Sequence, residues 1–193
     1  MERLLAIDPS LTCSGWALFD ISKGKIRSVG LIRSKGTKYS LPDRLQDFHQ
    51  QVQKLFSSLK IGKSDVLVCE APSTVIDPKA TFKVEQIRGI FENTARDFKA
   101  LVPGRLNPRT VQREALGLFG KQIERKSVKA LARKTVQFLY GETLTRFGID
   151  PALVKYQDII DSILIGHVAL SKLEASKRAS VSIEEMFLEA WDR

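Results

Sequence analysis

Two short apolar runs, each stopped by a carboxylate, most constrain what this chain can fold into. Arg3–Asp8 is apolar from Leu4 to Ile7 and ends on Asp8 before Pro9; Asp65–Glu70 is apolar from Val66 to Cys69 and ends on Glu70 before Ala71-Pro72. Apolar residues on both alternating faces mark strands covered on both sides, as in a sheet flanked by helices. An acid at the end of such a strand either caps the following turn or is delivered to a site. For Asp8 taken alone, both readings stand.

The segments between these runs set their relative direction. Cys13–Asp20 is strand-like and follows the turn-forming Pro9-Ser10-Leu11-Thr12, so it pairs with the first strand as a hairpin, and the alternating Lys25–Arg33 extends the pair into a meander. A helix opens at Leu41-Pro42, carries Leu45, Phe48, Val52, Leu55, Phe56 and Leu59 at helical spacing, and ends near Ile61-Gly62. A strand reached through a helix lies parallel to the first, so Asp8 and Glu70 leave the sheet at the same edge, where open α/β sheets place ligands. The pattern then predicts a helix over 80–99, with Phe82, Ile87, Ile90, Phe91, Ala95 and Phe98 mostly on one side and Gly89 in its middle. A short strand over 100–106 follows, and Asn107-Pro108 starts the next helix.

A closing helix begins near Tyr156 or Gln157 and runs to about Lys172, mostly buried, with Asp158 and Asp161 neighbours on one face. Two carboxylates this close repel each other, which a cation relieves; alternatively both face solvent at a helix start. The stretch 174–180 is polar, and Ser182-Ile183-Glu184-Glu185 is a capping box opening a short helix with Ile183, Met186, Phe187, Ala190 and Trp191 on its apolar side. That helix either folds back or packs on a second subunit. The expected organisation is therefore one domain over 1–172 and a linker with an amphipathic helix over 173–193.

Charge narrows the partner. The 193 residues carry a formal net charge of +9, and the span 105–134 holds nine basic residues (Arg105, Arg109, Arg113, Lys121, Arg125, Lys126, Lys129, Arg133, Lys134) against Glu114 and Glu124. Amphipathic helices with basic outer faces suit phosphate-backbone contact better than base readout; a basic surface without a partner is the plainer alternative. The two cysteines, Cys13 and Cys69, fall in strand-like segments with no zinc spacing, so they are expected buried and reduced in a cytoplasmic protein. No signal peptide or membrane span is expected, because Ile159 to Leu170 is short and interrupted by Asp161 and His167. His167 reads as a packed histidine, His49 as surface, and Trp16 and Trp191 as core or interface residues.

Asp8, Glu70, Asp158 and Asp161, without a matching cysteine or histidine cluster, make a hard-oxygen donor set suited to Mg²⁺ or Mn²⁺. In a basic protein that set points to phosphodiester hydrolysis, with two metals about 3.5 to 4 Å apart aligning the attacking water and the leaving oxygen.

At these residues the chain resembles the RuvC family of Holliday-junction resolvases. Ile7-Asp8-Pro9-Ser10 with Gly15 is similar to the family's opening Ile-Asp-Pro-Gly, Leu41-Pro42-Asp43-Arg44-Leu45 to its first helix start, and Glu70 matches its second acid. Gln86-Ile87-Arg88-Gly89 resembles its Gln-Ala-Arg-Gly, Arg109-Thr110-Val111 its next helix start, Lys126-Ser127-Val128 its basic helix, and Asp158-Ile159-Ile160-Asp161-Ser162 its closing Asp-x-x-Asp. These fall in consistent order over roughly residues 3–172.

The resemblance implies a ribonuclease-H-like α/β fold, a mixed sheet of antiparallel meander and parallel strands with helices on both faces. It implies a Mg²⁺-dependent crossover-junction endodeoxyribonuclease of DNA recombination and repair, working as a homodimer that pairs through the Gly89 helix and makes paired nicks with ligatable ends. Asp8, Glu70, Asp158 and Asp161 would hold two Mg²⁺, Mn²⁺ substituting, and Lys126 would act at the scissile phosphate. Arg109, Arg113, Arg125, Lys126, Lys129 and Arg133 would contact DNA. Two departures bear on selectivity: Ala71-Pro72-Ser73-Thr74-Val75-Ile76 lacks the aromatic wedge many members carry after the second acid, and Gln112 or Arg113 stands where the family has a lysine. Competing readings are a flap or fork nuclease of the same fold and a non-catalytic junction-binding protein. A phosphotransferase of the sugar-kinase type would need a second phosphate loop and a longer chain.

Overall fold

The computed structural model describes residues 1–72, 77–119 and 124–188. Expectations resting on Ser73 to Ile76, Lys121, Ala190 and Trp191 lie outside these residues. The elements in order are β1 (Arg3–Asp8), β2 (Cys13–Asp20), β3 (Lys25–Arg33), α1 (Leu41–Leu59), β4 (Asp65–Glu70), α2 (Pro78–Asp97), β5 (Arg105–Leu106), α3 (Pro108–Leu116), α4 (Arg125–Arg146), α5 (Gln157–Ala179) and α6 (Ile183–Phe187). A 3₁₀ turn, Val154–Tyr156, leads into α5.

The strands form one sheet in the order β3-β2-β1-β4-β5. The meander β1-β2-β3 is antiparallel, while β4 lies parallel to β1 and β5 parallel to β4. This is the mixed sheet flanked by helices that the sequence predicts, and β1 and β4 are parallel as the intervening helix requires. Each face carries its own core. On one, α5, with α3 and α4, buries Ile160, Ile163, Val168 and Val136 against Leu4, Ala6 and Phe19. On the other, α1 and α2 bury Phe48, Val52, Phe56 and Phe91 against Leu5, Ile7 and Leu67. Leu4 to Ile7 therefore pack on both sides, which is why the run is apolar without alternation.

Local chemistry starts the helices where the polypeptide must turn. Ser40, Asp77 and Asn107 cap α1, α2 and α3 through their side chains, each with proline at the first or second helical position, where no N–H is needed.

Four expectations are corrected. The strand over 100–106 shrinks to Arg105–Leu106 with a lone bridge from Leu101 to Val66, because Pro103 has no N–H to donate and Gly104 adopts φ 155°. The helix α5 does not stop near Lys172 but continues to Ala179, with Leu173 and Ser176 buried inside the stretch that reads as a polar tail. Phe82 is 72% exposed although Ile87, Phe91 and Ala95 are core. Cys69 is buried but Cys13 is only half-buried; both are free. Trp16 is core and His49 is at the surface. No helix among the described residues is long and apolar enough to cross a membrane.

Candidate active site

The site begins with register. In the parallel pair Ile7 stands beside Cys69, so the next residues along, Asp8 and Glu70, leave the sheet side by side. On the other side of β1, Asp8 pairs with Gly15 of β2. A β-carbon at Gly15 would lie 1.8 Å from the Asp158 carbonyl oxygen, so the first turn of α5 rests directly on the strand pair at this point. Glycine is required there because the approach is backbone to backbone. Farther along, the Phe19 ring fills the space above Gly166, the second small residue that lets α5 lie flat on the sheet.

The four predicted acids are thereby brought to one edge, where Asp8 lies in the field of the other three. Asp8 is raised well above the usual carboxylate range by burial and then by repulsion from Glu70, Asp161 and Asp158. Glu70 is raised to about 8 by burial and by Asp161, against the opposing pull of Arg88. Asp161 is raised to about 6 by burial, offset by a hydrogen bond from Gln157 and by Lys129. Among the described residues, neither the Asp8 nor the Glu70 carboxylate has a hydrogen-bond or ion-pair partner.

Asp161 and Asp158 are held from the side. Gln157 Nε2 donates to Asp161 Oδ1 at 2.8 Å, and Arg133 Nη1 donates to Gln157 Oε1 at 2.6 Å, so a basic residue of α4 orients an acid of α5 through one amide. The Cys13 thiol lies beside Asp158, and burial together with this neighbour pushes the thiol up to about 11. Neither Gln157 nor Cys13 stands out in the sequence; each acts only once the fold has set it beside an acid.

The donors are not drawn in around a point: among the described residues no three Asp, Glu, His or Cys side chains are close enough to hold one ion. Their chemistry nevertheless fits a hard divalent cation. All are carboxylates; Asp8 and Glu70 are half-buried and without a hydrogen-bond or ion-pair partner among the described residues, and burial with mutual repulsion raises Asp8, Glu70 and Asp161, which is the penalty a cation removes.

The basic residues divide. Arg109, Arg125 and Lys126 are exposed, and Lys129 and Arg133 are half-buried toward the acids. Lys129, rather than its exposed neighbour Lys126, exerts the strongest cationic pull on both Asp8 and Asp161, with Arg125 next at Asp161. Arg113 pairs with its neighbour Glu114 at 3.2 Å. Arg105, counted above with the basic span, is half-buried and already paired: it forks onto Glu92 at 2.7 and 3.0 Å. His167 receives or donates a 2.9 Å hydrogen bond with the Tyr140 hydroxyl, and burial lowers its pKa, as befits a packed histidine.

No protein-family model matches the chain, and no curated protein matches it in sequence. Solved structures do match. Thermus thermophilus RuvC in complex with Holliday junction substrate superposes with a TM-score of 0.65 at 14% identity, over 91% of this chain and 96% of that one. The Thermus thermophilus RuvC structure gives 0.64 at 16%, over 93% and 97%. The fowlpox virus Holliday junction resolvase gives 0.55 at 15%, over 89% and 99%. At such identities the likeness is one of fold, and the fold of this chain is the ribonuclease-H-like fold of the RuvC resolvases.

Proposed function

We propose that this protein is a RuvC-like, divalent-metal-dependent endonuclease that resolves four-way DNA junctions. The observation that carries the reading is the meeting of Asp8, Glu70, Asp158 and Asp161 at one sheet edge, inside a fold shared over nearly its whole length with junction resolvases.

These four carboxylates would hold two Mg²⁺, or Mn²⁺ in their place. When bound, the metals supply Lewis-acid activation of water and stabilisation of the leaving oxygen in an in-line displacement at phosphorus. The protein's own residues do the rest. Asp8 and Glu70 fix the site to the rigid sheet, and Gln157 keeps the Asp161 carboxylate turned toward it. Lys129 and Lys126 neutralise the scissile phosphate region, while Arg109, Arg113, Arg125 and Arg133 hold the flanking backbone. Paired nicks need two sites, and a homodimer would form on α2: a β-carbon at Gly89 meets nothing within 4 Å, and Phe82 stands exposed one and a half to two turns before it. Two free thiols suit a reducing, cytoplasmic setting.

The test is a cleavage panel of four-way, three-way, flap and linear DNAs in Mg²⁺ with mapped cut sites. Symmetric paired nicks confined to the four-way junction establish the resolvase; cutting of flaps or forks with equal efficiency replaces it with a broader branched-DNA nuclease. Asp8→Asn, Glu70→Gln and Asp161→Asn should each abolish cleavage while junction binding persists. A variant cutting at the wild-type rate would remove the metal assignment.

A further inference from the structure

A second cationic element reaches the same edge from the far side of the sheet. β3 ends at Arg33, which pairs in register with Cys13, two residues before Gly15, the register partner of Asp8. The chain then turns through residues 34–40 before α1. This segment is fastened to the turn that follows Asp8: Ser34 Oγ donates to the Leu11 carbonyl at 2.5 Å. Arg44, from the first turn of α1, donates to the Lys35 carbonyl at 2.9 Å and to Ser34 Oγ at 3.0 Å. The Tyr39 N–H closes the turn on the Gly36 carbonyl at 3.1 Å.

What this framework presents is charge. Lys35 and Lys38 both place their ammonium groups 5.3 Å from the centre of the Tyr39 ring, which is 42% exposed. Among the described residues none of Arg33, Lys35, Lys38 or Arg44 has a carboxylate within ion-pair distance. Cation–π attraction accounts for one ammonium over an exposed ring at about 0.5 to 1 kcal/mol. Gathering two like charges on the same ring works against it unless an anion shares the space.

We propose that Arg33, Lys35, Lys38 and Arg44 form a phosphate-backbone clamp, with Tyr39 as its scaffold, that takes a DNA strand crossing the carboxylates and leaving on the side opposite α3 and α4. The contact is to phosphodiester oxygens and carries no base readout, since lysines on an exposed turn offer point charges without a fixed hydrogen-bond pattern. The inference rests on the nuclease reading above and extends the path of its substrate.

Fluorescence anisotropy with a labelled synthetic four-way junction and a linear duplex of equal length, in EDTA to prevent cutting, tests it on the full chain. The Lys35→Ala/Lys38→Ala double variant should bind both DNAs at least fivefold more weakly. Because each lost phosphate contact removes about 0.9 from the slope of log affinity against log salt, the slope should fall by about 2. Tyr39→Ala, which leaves both charges but removes their scaffold, should weaken binding less and keep most of the slope. All of these side chains are exposed, so melting temperatures should stay within about 2 °C of wild type. Wild-type affinity and slope in the double variant would overturn the clamp while leaving the nuclease reading intact. A wild-type protein that neither binds nor cuts branched DNA would remove both.

Discussion

The Arg88 side chain donates from Nε to the backbone carbonyl of Glu70 at 2.6 Å. Arg88 is 1% exposed and also pairs with Glu85, which reaches Arg105 at 3.3 Å, and Arg105 in turn grips Glu92. Since Arg105 sits beside Cys69 in the β4-β5 pair, the network ties α2 to the last residue of β4 from two directions. A buried guanidinium is costly unless every donor is used. Here its position fixes the backbone of Glu70, one of the two acids that end strands and have no side-chain partner among the described residues.

Arg88 is therefore a positioning residue for Glu70. Arg88→Met should lower single-turnover cleavage at least tenfold while junction affinity stays within about twofold, and should move the Mg²⁺ dependence to higher concentration. Arg88→Lys should recover part of the rate, because one donor can still reach the carbonyl. A merely structural arginine would lower the melting temperature without shifting the metal dependence, and a Mg²⁺ titration separates the two.

The closest approach at the site sits at Gly15, where a methyl group would meet the Asp158 carbonyl at 1.8 Å. Neither partner is a flexible side chain, so α5 must move. Gly15→Ala should cost about 3 kcal/mol or more, at or above the usual overpacking range. Its surviving folded fraction should lose cleavage, because Asp158 and Asp161 ride on the displaced turn. Urea unfolding gives the first number and cleavage per folded molecule the second.

Raised carboxylates set the pH dependence of the metal-free protein. Glu70 goes from 4.5 to about 8 and Asp161 from 3.8 to about 6, so the folded state binds more protons than the unfolded chain between those values. A raised folded pKa contributes stability that is complete below the unfolded value and is lost as pH rises through the folded one. In EDTA the protein should lose stability from about pH 4 to pH 8, and Glu70→Gln should flatten the upper part of that loss. Mg²⁺ competes with those protons, so the rise in melting temperature it produces should be larger at pH 8 than at pH 6. Scanning fluorimetry across pH, with and without Mg²⁺, checks all three.

How far the sequence carries these conclusions varies with the range of the interaction. Asp8 and Glu70 are legible because a strand of period two covered on both faces leaves its terminal acid conspicuous, and the helix between the strands fixes their direction. Asp158 and Asp161 are legible as a pair three residues apart. Roles that exist only across the fold are not. Arg88 lies in a recognisable Gln-Ile-Arg-Gly stretch, but nothing local says that its guanidinium reaches a strand end 18 residues away. Arg105 adds to a basic run in the sequence and is neutralised in the structure by Glu92. Residues 34–40 carry no pattern of their own in the sequence, and only the fold shows Ser34 fastening them to the turn after Asp8. The two-residue β5 is too short for any periodicity, and the last turns of α5 hide their buried face, Leu173 and Ser176, among charged residues.

The C-terminal helix answers a question the capping box at Ser182 leaves open. The Ser182 hydroxyl accepts from the Glu185 N–H at 3.1 Å, starting α6 as its sequence predicts, and the helix then folds back onto its own domain. Phe187 is 1% exposed, and Gly104 faces it so closely that a β-carbon there would lie 2.9 Å from the Phe187 β-carbon. Lys172 Nζ donates to the Met186 carbonyl at 3.2 Å and sits over the Phe187 ring, joining α6 to the extended part of α5. Phe187→Ala should destabilise the protein by about 3 to 5 kcal/mol, the range for emptying a phenylalanine site in a core. Glu184→Ala, on an exposed position of the same helix, should stay within about 0.5 kcal/mol. If urea midpoints for the two variants coincide, α6 is not part of the folded unit; a large gap at unchanged denaturant slope makes it the final piece of the core on the α5 face.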